Sequence, residues 1–508
     1  MAEQSLTLSL FDPGMTPLHR VGLAGLYMTL EKLDPKKYEK LGSWELEPSR
    51  VHLRWNGKPA AFIGDLLEDA FGIGEGGVIE FAAHRGHPMG QAQRFLVHSA
   101  ILGTFLQHPL VKGVEGPVAV SLDLEDRQVL HSHRPATWYS NQKSKILFTR
   151  AGDFRSAIEL AGWILPGGGV RHNEYAKETK VTERPELLLA LLFAPAASLY
   201  FLISRKGSDG KYDRRFSAAV VLPEVVELRN YAKAFSRYLD APAERLHASG
   251  LGDAGLLGLA SLQLYRPSGM IQALTVDSCT VISMGTVGWS RQKTRTAVAH
   301  VRDVDLVRLN LFAIALSQIG NRLLLKKSGG YWVATSLSRG LIADNIAAGR
   351  SWFDGFFALM QSQELAGLLS FERKGLNNMV QQAPWPRQED KLFVEAVHNA
   401  LRNRYGALAA RAKTQGNAPQ FKREFERIRT SLMRAKNRDT LRAEVADLFA
   451  RGGINRVLQG DWEKILGLFG GGEWQRARDL ALLGLASYAG KGVEEVESGE
   501  AEGEEDEA

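Results

Sequence analysis

The chain has 508 residues, 44% hydrophobic and 24% charged. Those proportions belong to a globular protein of about three domains at roughly 150 residues each, and they exclude a collagen-like repeat, a disulfide mini-scaffold and wholesale disorder. The single cysteine, Cys279, permits neither an internal disulfide nor a Cys-based zinc site, and it suits a reducing compartment, the cytoplasm. The net charge of +6 conceals a division: residues 492–508 hold nine acids and no base, leaving 48 acids against 63 bases, +15, on the first 491 residues. A basic body with an acidic tail points to a polyanionic partner, nucleic acid first, although a solvated basic surface would give the same numbers.

The opening MAEQSLTLSLF has no basic n-region or apolar core of a signal peptide. Leu6–Phe11 alternates like a strand, and Pro17–Leu33 has helical periodicity. Residues 44–55 (WELEPSRVHLRW) predict a β-hairpin, 89–106 an apolar helix, and 117–133 two strands around Glu125-Asp126. The longest apolar run, Leu187–Ile203, approaches the length of a membrane span. Pro195 interrupts it and a hairpin signal follows, so a buried helix ending near Ala194 and a buried hairpin over 197–222 are expected, with no membrane contact. A helix over Glu224–Leu239 and a strand over 276–287 precede a basic segment.

From about Val304 the pattern turns helical, with 3.6-period stripes over 303–324, 336–348 and 351–369. Residues 374–386 (KGLNNMVQQAPWP) predict a break, and residues 387–490 read as four or five helices. The expected fold is an α+β N-terminal region over 1–376, an all-α helical bundle over 377–490, and a disordered acidic tail over 491–508.

No P-loop, nucleophile elbow or H-E-x-x-H is present. His131 and His133 share one side of a strand near Asp123, a dispersed pattern that a metal-dependent nuclease would use, and this remains the alternative to a non-catalytic binding role. No cofactor is expected. Three basic segments suit nucleic acid. In Trp138–Lys145, the amides of Asn141 and Gln142 suit base edges, while Lys143 and Lys145 suit phosphate or guanine. In the second, Trp289 offers a stacking platform beside Arg291, Lys293 and Arg295. In the third, Leu401–Arg442 carries twelve bases against three acids. There Phe421, Phe425, Ile428 and Leu432 form a buried stripe, and Lys422, Arg423, Arg427, Arg434 and Lys436 fall off it. Ordinary solvated loops and helix faces compete with each of these readings.

The opening Leu8-Ser9-Leu10-Phe11-Asp12-Pro13-Gly14-Met15-Thr16-Pro17-Leu18-His19-Arg20, together with Gly22–Leu26, Val221-Leu222-Pro223-Glu224 and Gly285–Lys293, resembles the large subunit of type I CRISPR surveillance complexes (Cascade). The similar family is Cas family eight, Myxan branch, near subtype I-B. The resemblance implies a ribonucleoprotein subunit of antiviral defence with no catalytic site of its own. It would bind guide RNA at the handle end, recognise the protospacer-adjacent motif in target double-stranded DNA, and aid R-loop formation. The implied partners are the backbone and handle-binding subunits, the displaced strand, and a helicase-nuclease or transposition proteins. Sequence specificity would rest in base pairing. Some relatives hold zinc in a cysteine cluster, which Cys279 alone does not provide. The C-terminal bundle is similar to the Cascade small subunit, and Met379 is placed to serve as an internal start for a separate small subunit.

Overall fold

The fold of the first part of the chain is set by a helix with no polar face. Helix α4 (Pro185–Ala197) is PELLLALLFAPAA, and nearly all of it is buried, as a helix apolar on every side must be. The computed structural model describes residues 4–87, 89–105, 116–142, 144–160, 182–206, 212–213, 218–287, 290–469 and 473–490. Its contacts form two units: Met1–Arg205, Asp213–Leu309 and Leu323–Ala334; and Lys206–Tyr212, Asn310–Arg322 and Thr335–Ala508.

In the first unit α4 lies against α1 (Pro17–Lys32). The crossing is close because Gly22 and Gly25 face it: a β-carbon at either would fall against the backbone carbonyl oxygen of Ala190 or Phe193, well inside van der Waals contact. Pro195 does not end α4 as expected. It sits in the last turn, so the helix runs only two residues beyond it.

A three-stranded antiparallel sheet joins β1 (Gln4–Ser9), β2 (Gly42–Leu46) and β3 (Arg50–Trp55), with β3 central. The main sheet has five strands. The predicted buried hairpin supplies β6 (Leu199–Ile203) and β7 (Ala218–Pro223), antiparallel with Leu199 opposite Val221. Beyond β7 come β9 (Cys279–Val287) and the edge strand β10 (Ser290–Val301); beyond β6, β8 (His247–Ala248) runs parallel. Helices α3 (Gln91–Thr104) and α6 (Leu251–Ser261) pack on this sheet. Gly258 makes room on α6: its β-carbon would be 3.0 Å from Val221 and 3.1 Å from Leu199. Helix α5 (Leu228–Leu239) packs against α1 and α6, while α2 (Pro59–Ala70) packs against the 3-10 turn Ser140–Gln142.

The hairpin β4 (Val118–Leu124) and β5 (Arg127–His133) turns through Glu125 and Asp126, both at positive φ, the conformation of a two-residue hairpin loop. Its inner residues Leu122, Leu124 and Val129 pack with Val78, Phe95, Leu323 and Val333. The last two belong to a strand pair, β11 (Arg322–Leu325) and β12 (Tyr331–Ala334), within and beside a stretch read as helix. The helix there, α7 (Leu306–Gln318), stops earlier.

The second unit is helical: α8 (Leu337–Ala347), α9 (Gln363–Ser370), α10 (Arg373–Gln382), α11 (Gln388–Gln415), α12 (Phe421–Arg434), α13 (Arg438–Gly452), α14 (Arg456–Leu466) and α15 (Trp474–Ser487). The single stripe expected over 351–369 is broken by Gly355 at φ +75 and a 3-10 turn, Phe356–Met360. Buried Asp479 of α15 holds that turn, accepting from the Gly355 and Phe357 N–H groups at 2.9 and 2.8 Å. The break expected at 374–386 is instead mostly α10, whose Leu376, Met379 and Val380 are fully buried. The contacts therefore group residues from Thr335 onward with the bundle, rather than dividing the chain at 376. Among the described residues, no helix is long and apolar enough to cross a membrane. Residues 491–508, expected as a disordered tail, lie outside the described residues.

Candidate nucleic-acid interface

The first basic segment is not a solvent loop. Ser140–Gln142 forms a 3-10 turn in which Asn141 is 3% exposed. Its amide donates to the Leu192 carbonyl of α4 at 2.6 Å, and the Gln142 amide donates to the Phe71 carbonyl at 2.6 Å. Both amides brace the core, so neither can read a base edge without abandoning a buried acceptor. That corrects the expectation for Asn141 and Gln142. Lys145 is exposed, and Lys143 lies outside the described residues.

The second segment begins strand β10. Arg291, Lys293 and Arg295 occupy alternate positions of the sheet's edge strand, with Gly285 opposite Arg295 and Thr286 opposite Thr294. Their side chains and Trp289 lie outside the described residues.

The third segment divides in two. The predicted stripe on α12 is present, with Phe421, Ile428 and Leu432 buried and Phe425 partly so. Glu424 joins that stripe. Its carboxylate accepts from Arg404 Nε at 2.8 Å and Arg427 Nη2 at 2.7 Å. Burial alone would raise its pKa, but the bonds from Arg427 and Arg404 prevail and hold it at about 2. Arg427 thus serves the bundle, which corrects its assignment to an outward nucleic-acid face. Arg429 is likewise held by Glu426 and the Met360 carbonyl. Lys422, Arg423, Arg434 and Lys436 are exposed. Around the α12–α13 joint, Arg434, Lys436, Arg438 and Arg442 are all exposed, and the one acid among them, Asp439, faces Arg438 at 3.2 Å and Arg442 at 4.0 Å. Lys422, Arg423 and Arg438 stand in first turns of helices, where the helix dipole disfavours cations. Arg438 and Arg442 were among the twelve bases counted from sequence, but only the fold shows that they gather at one joint.

The histidines are committed elsewhere. His131 Nδ1 lies 3.0 Å from the Tyr331 hydroxyl and Nε2 3.3 Å from Ser99 Oγ, while His133 Nε2 donates to the Gly76 carbonyl at 2.9 Å. Burial lowers the His131 pKa to about 4, with the neighbouring His133 and His98 adding to the effect. Asp123 pairs across the hairpin with Gln128, away from both histidines. Among the described residues no group of three or more His, Cys, Asp or Glu could hold a metal ion.

Residues 7–192 match the DevT N-terminal domain, and residues 381–508 match the DevT C-terminal domain. The CRISPR-associated protein Cas8a1/Csx13 of Myxococcus xanthus (strain DK1622) is 29% identical over 532 residues, covering 97% of this chain and 90% of that protein. The chain belongs to the DevT family of CRISPR-associated proteins. On DevT boundaries, the braced Asn141 and Gln142 fall in the N-terminal domain and the α12–α13 joint in the C-terminal domain. The β9–β10 hairpin falls between the two matched stretches. The DevT C-terminal match begins two residues after Met379, inside α10.

Proposed function

We propose that this DevT-family chain is the non-catalytic large subunit of an RNA-guided Cascade complex. In this reading it binds guide RNA and target duplex, recognises the protospacer-adjacent motif, aids R-loop formation and recruits the downstream effector. The observation that carries it is the likeness, along nearly the whole chain, to a protein named as CRISPR-associated Cas8a1/Csx13. The +15 body charge and the exposed cations of the α12–α13 joint supply the electrostatics that a polynucleotide needs. The helical unit, as the small-subunit-like part, holds displaced single strand along that joint. The edge hairpin β9–β10, with Arg291, Lys293 and Arg295, is the candidate for duplex or handle contact, and Lys145 is a second. Buried Asn141 and half-buried Gln142 support the first unit rather than reading bases.

A separate small subunit starting at Met379 fits less well. It would begin inside α10, without Leu376 and without Asn377, whose amide donates to the Ser487 carbonyl at 3.0 Å. It would also leave buried Asp479 without the Gly355 and Phe357 N–H groups. The nuclease alternative finds no support in how His131, His133 and Asp123 are bonded.

The test is purification of the untagged assembly through this chain. It should carry a CRISPR-derived RNA and bind motif-bearing duplex more tightly than motif-free duplex, without cutting either in Mg²⁺ or Mn²⁺. Arg434→Ala with Lys436→Ala should lower the slope of log affinity against log salt by about 1–2. Purified chain that cleaves DNA with a divalent metal and carries no RNA would overturn the proposal.

A further inference from the structure

We propose that the acidic tail, residues 492–508, docks on the cationic α12–α13 joint of its own chain and is displaced when a polynucleotide takes that place. The inference rests on the single-strand role proposed for the joint, and it gives the joint an occupant before the strand arrives.

The joint is a surface short of negative charge. Arg434, Lys436, Arg438 and Arg442 are exposed within nine residues, and the single carboxylate of Asp439 is divided between Arg438 at 3.2 Å and Arg442 at 4.0 Å. Among the described residues, Arg434 and Lys436 meet no carboxylate. The other acids of α12 and α13 are already engaged. Glu424 and Glu426 accept from Arg427 and Arg429, Glu444 accepts from the Ser431 hydroxyl, and Asp447 pairs with Arg451 at 2.6 Å.

The sequence of the same chain carries the complement. Nine acids and no base lie over 492–508, and six of the nine fall between Glu500 and Glu507. At full extension those six charges in eight residues come to one per about 4–5 Å, close to the one per 3.4 Å along a DNA strand. A surface that attracts the one attracts the other.

The connection is long enough. Tyr488, just past α15, and Phe421, which opens α12, both lie against Tyr405, each at 5.5 Å between ring centroids. The 14 residues of α12 then carry the path about 20 Å further to Arg434, or about 30 Å in all from Tyr488. Residues 489–499 span up to about 36 Å, so the run from Glu500 onward reaches the joint. A tether of this kind supplies an effective concentration of about 1 mM. If the tail binds no better than a weak non-specific polyanion, about 10⁻⁴ M, it still masks the joint about tenfold.

The experiment uses the full chain freed of nucleic acid, and a full-length variant with Glu500→Gln, Glu502→Gln, Glu504→Gln, Glu505→Gln, Asp506→Asn and Glu507→Gln. The variant should bind single-stranded oligo(dT) about tenfold more tightly at low salt, with a slope of log affinity against log salt steeper by about 1, since the strand no longer displaces a built-in anion. In the Arg434→Ala, Lys436→Ala background the same six changes should have no effect. Carbodiimide should join Lys436 to a carboxylate between 500 and 507 within one chain, and oligo(dT) should suppress that crosslink. Equal affinity of variant and wild type with no crosslink at Lys436 would overturn the docking, as would crosslinks confined to Lys422, to lysines of the first unit or to covalent dimers. Tightening of the same size in the Arg434→Ala, Lys436→Ala background would replace docking by long-range repulsion. A Lys436 crosslink that persists under saturating oligo(dT) would keep the tail on the joint and overturn the single-strand role instead.

Discussion

Glu424→Gln removes the charge that Arg404 and Arg427 converge on while keeping the shape of the side chain. A carboxylate moved from 4.5 to about 2 corresponds to about 3 kcal/mol between its protonation states. Arg427 is 38% exposed and Arg404 20%, so screening leaves roughly 1–2 kcal/mol. Because the folded value lies below the ordinary one, this stabilisation is complete above about pH 4.5 and is lost as pH falls toward 2. Urea unfolding of the full chain, followed by far-ultraviolet circular dichroism, should show the transition of the helical unit at lower urea in the variant at pH 7. With a slope of about 2 kcal/mol per molar, the midpoint moves by about 0.5–1 M. By pH 3 roughly half of the gap should have closed. An unchanged midpoint at pH 7, or a gap of the same size at pH 3, would refute the ion-pair account of why Glu424 is tolerated on an apolar stripe.

Gly22→Ala should drive α1 away from α4 and cost at least about 3 kcal/mol, since the obstruction is backbone; thermal unfolding or loss of soluble full-length chain reads it. Asn141→Ala should cost about 0.5–1.5 kcal/mol through the lost bond to the Leu192 carbonyl, yet leave the affinity ratio between motif-bearing and motif-free duplex unchanged, and a fall in that ratio would restore base reading at this position. His98 is buried with its pKa lowered to about 4 by burial, with its Nε2 donating to the Arg134 carbonyl and its Nδ1 accepting from the Ile79 N–H. Because the folded value lies below the ordinary 6.5, the stability it contributes is full above about pH 6.5 and declines toward pH 4, by up to about 1.4 kcal/mol per pH unit. His98→Gln should flatten the pH dependence of unfolding in that window by up to one proton.

Much of the architecture is legible in the sequence because periodicity reports burial. The β2–β3 and β4–β5 hairpins, α1, α3, and the five helices after residue 387 follow from alternation, 3.6-residue stripes and turn residues. The failures share one cause, partners distant in sequence. Asn141 and Gln142 have the composition of a recognition loop, and only the carbonyls of Leu192 and Phe71 reveal them as braces. Arg427 falls off the apolar stripe and is still committed, because a carboxylate on that stripe needs a counter-charge from α11 as well as from its own helix. Helix α10 was hidden by its polar composition, although Leu376, Met379 and Val380 carry the i, i+3, i+4 signal.

The α1–α4 crossing bears on how the chain is made. Residues 17–32 find their partner only when residues 185–197 have been synthesised. At about 5–20 residues per second, that interval is on the order of 10–30 s. Throughout it the face of α1 that α4 will bury is uncovered, transiently exposed apolar surface of the kind that makes chaperones necessary. A slow stretch of translation placed between the two helices would lengthen the exposure. One placed after residue 200 would let the pair close before the sheet is added.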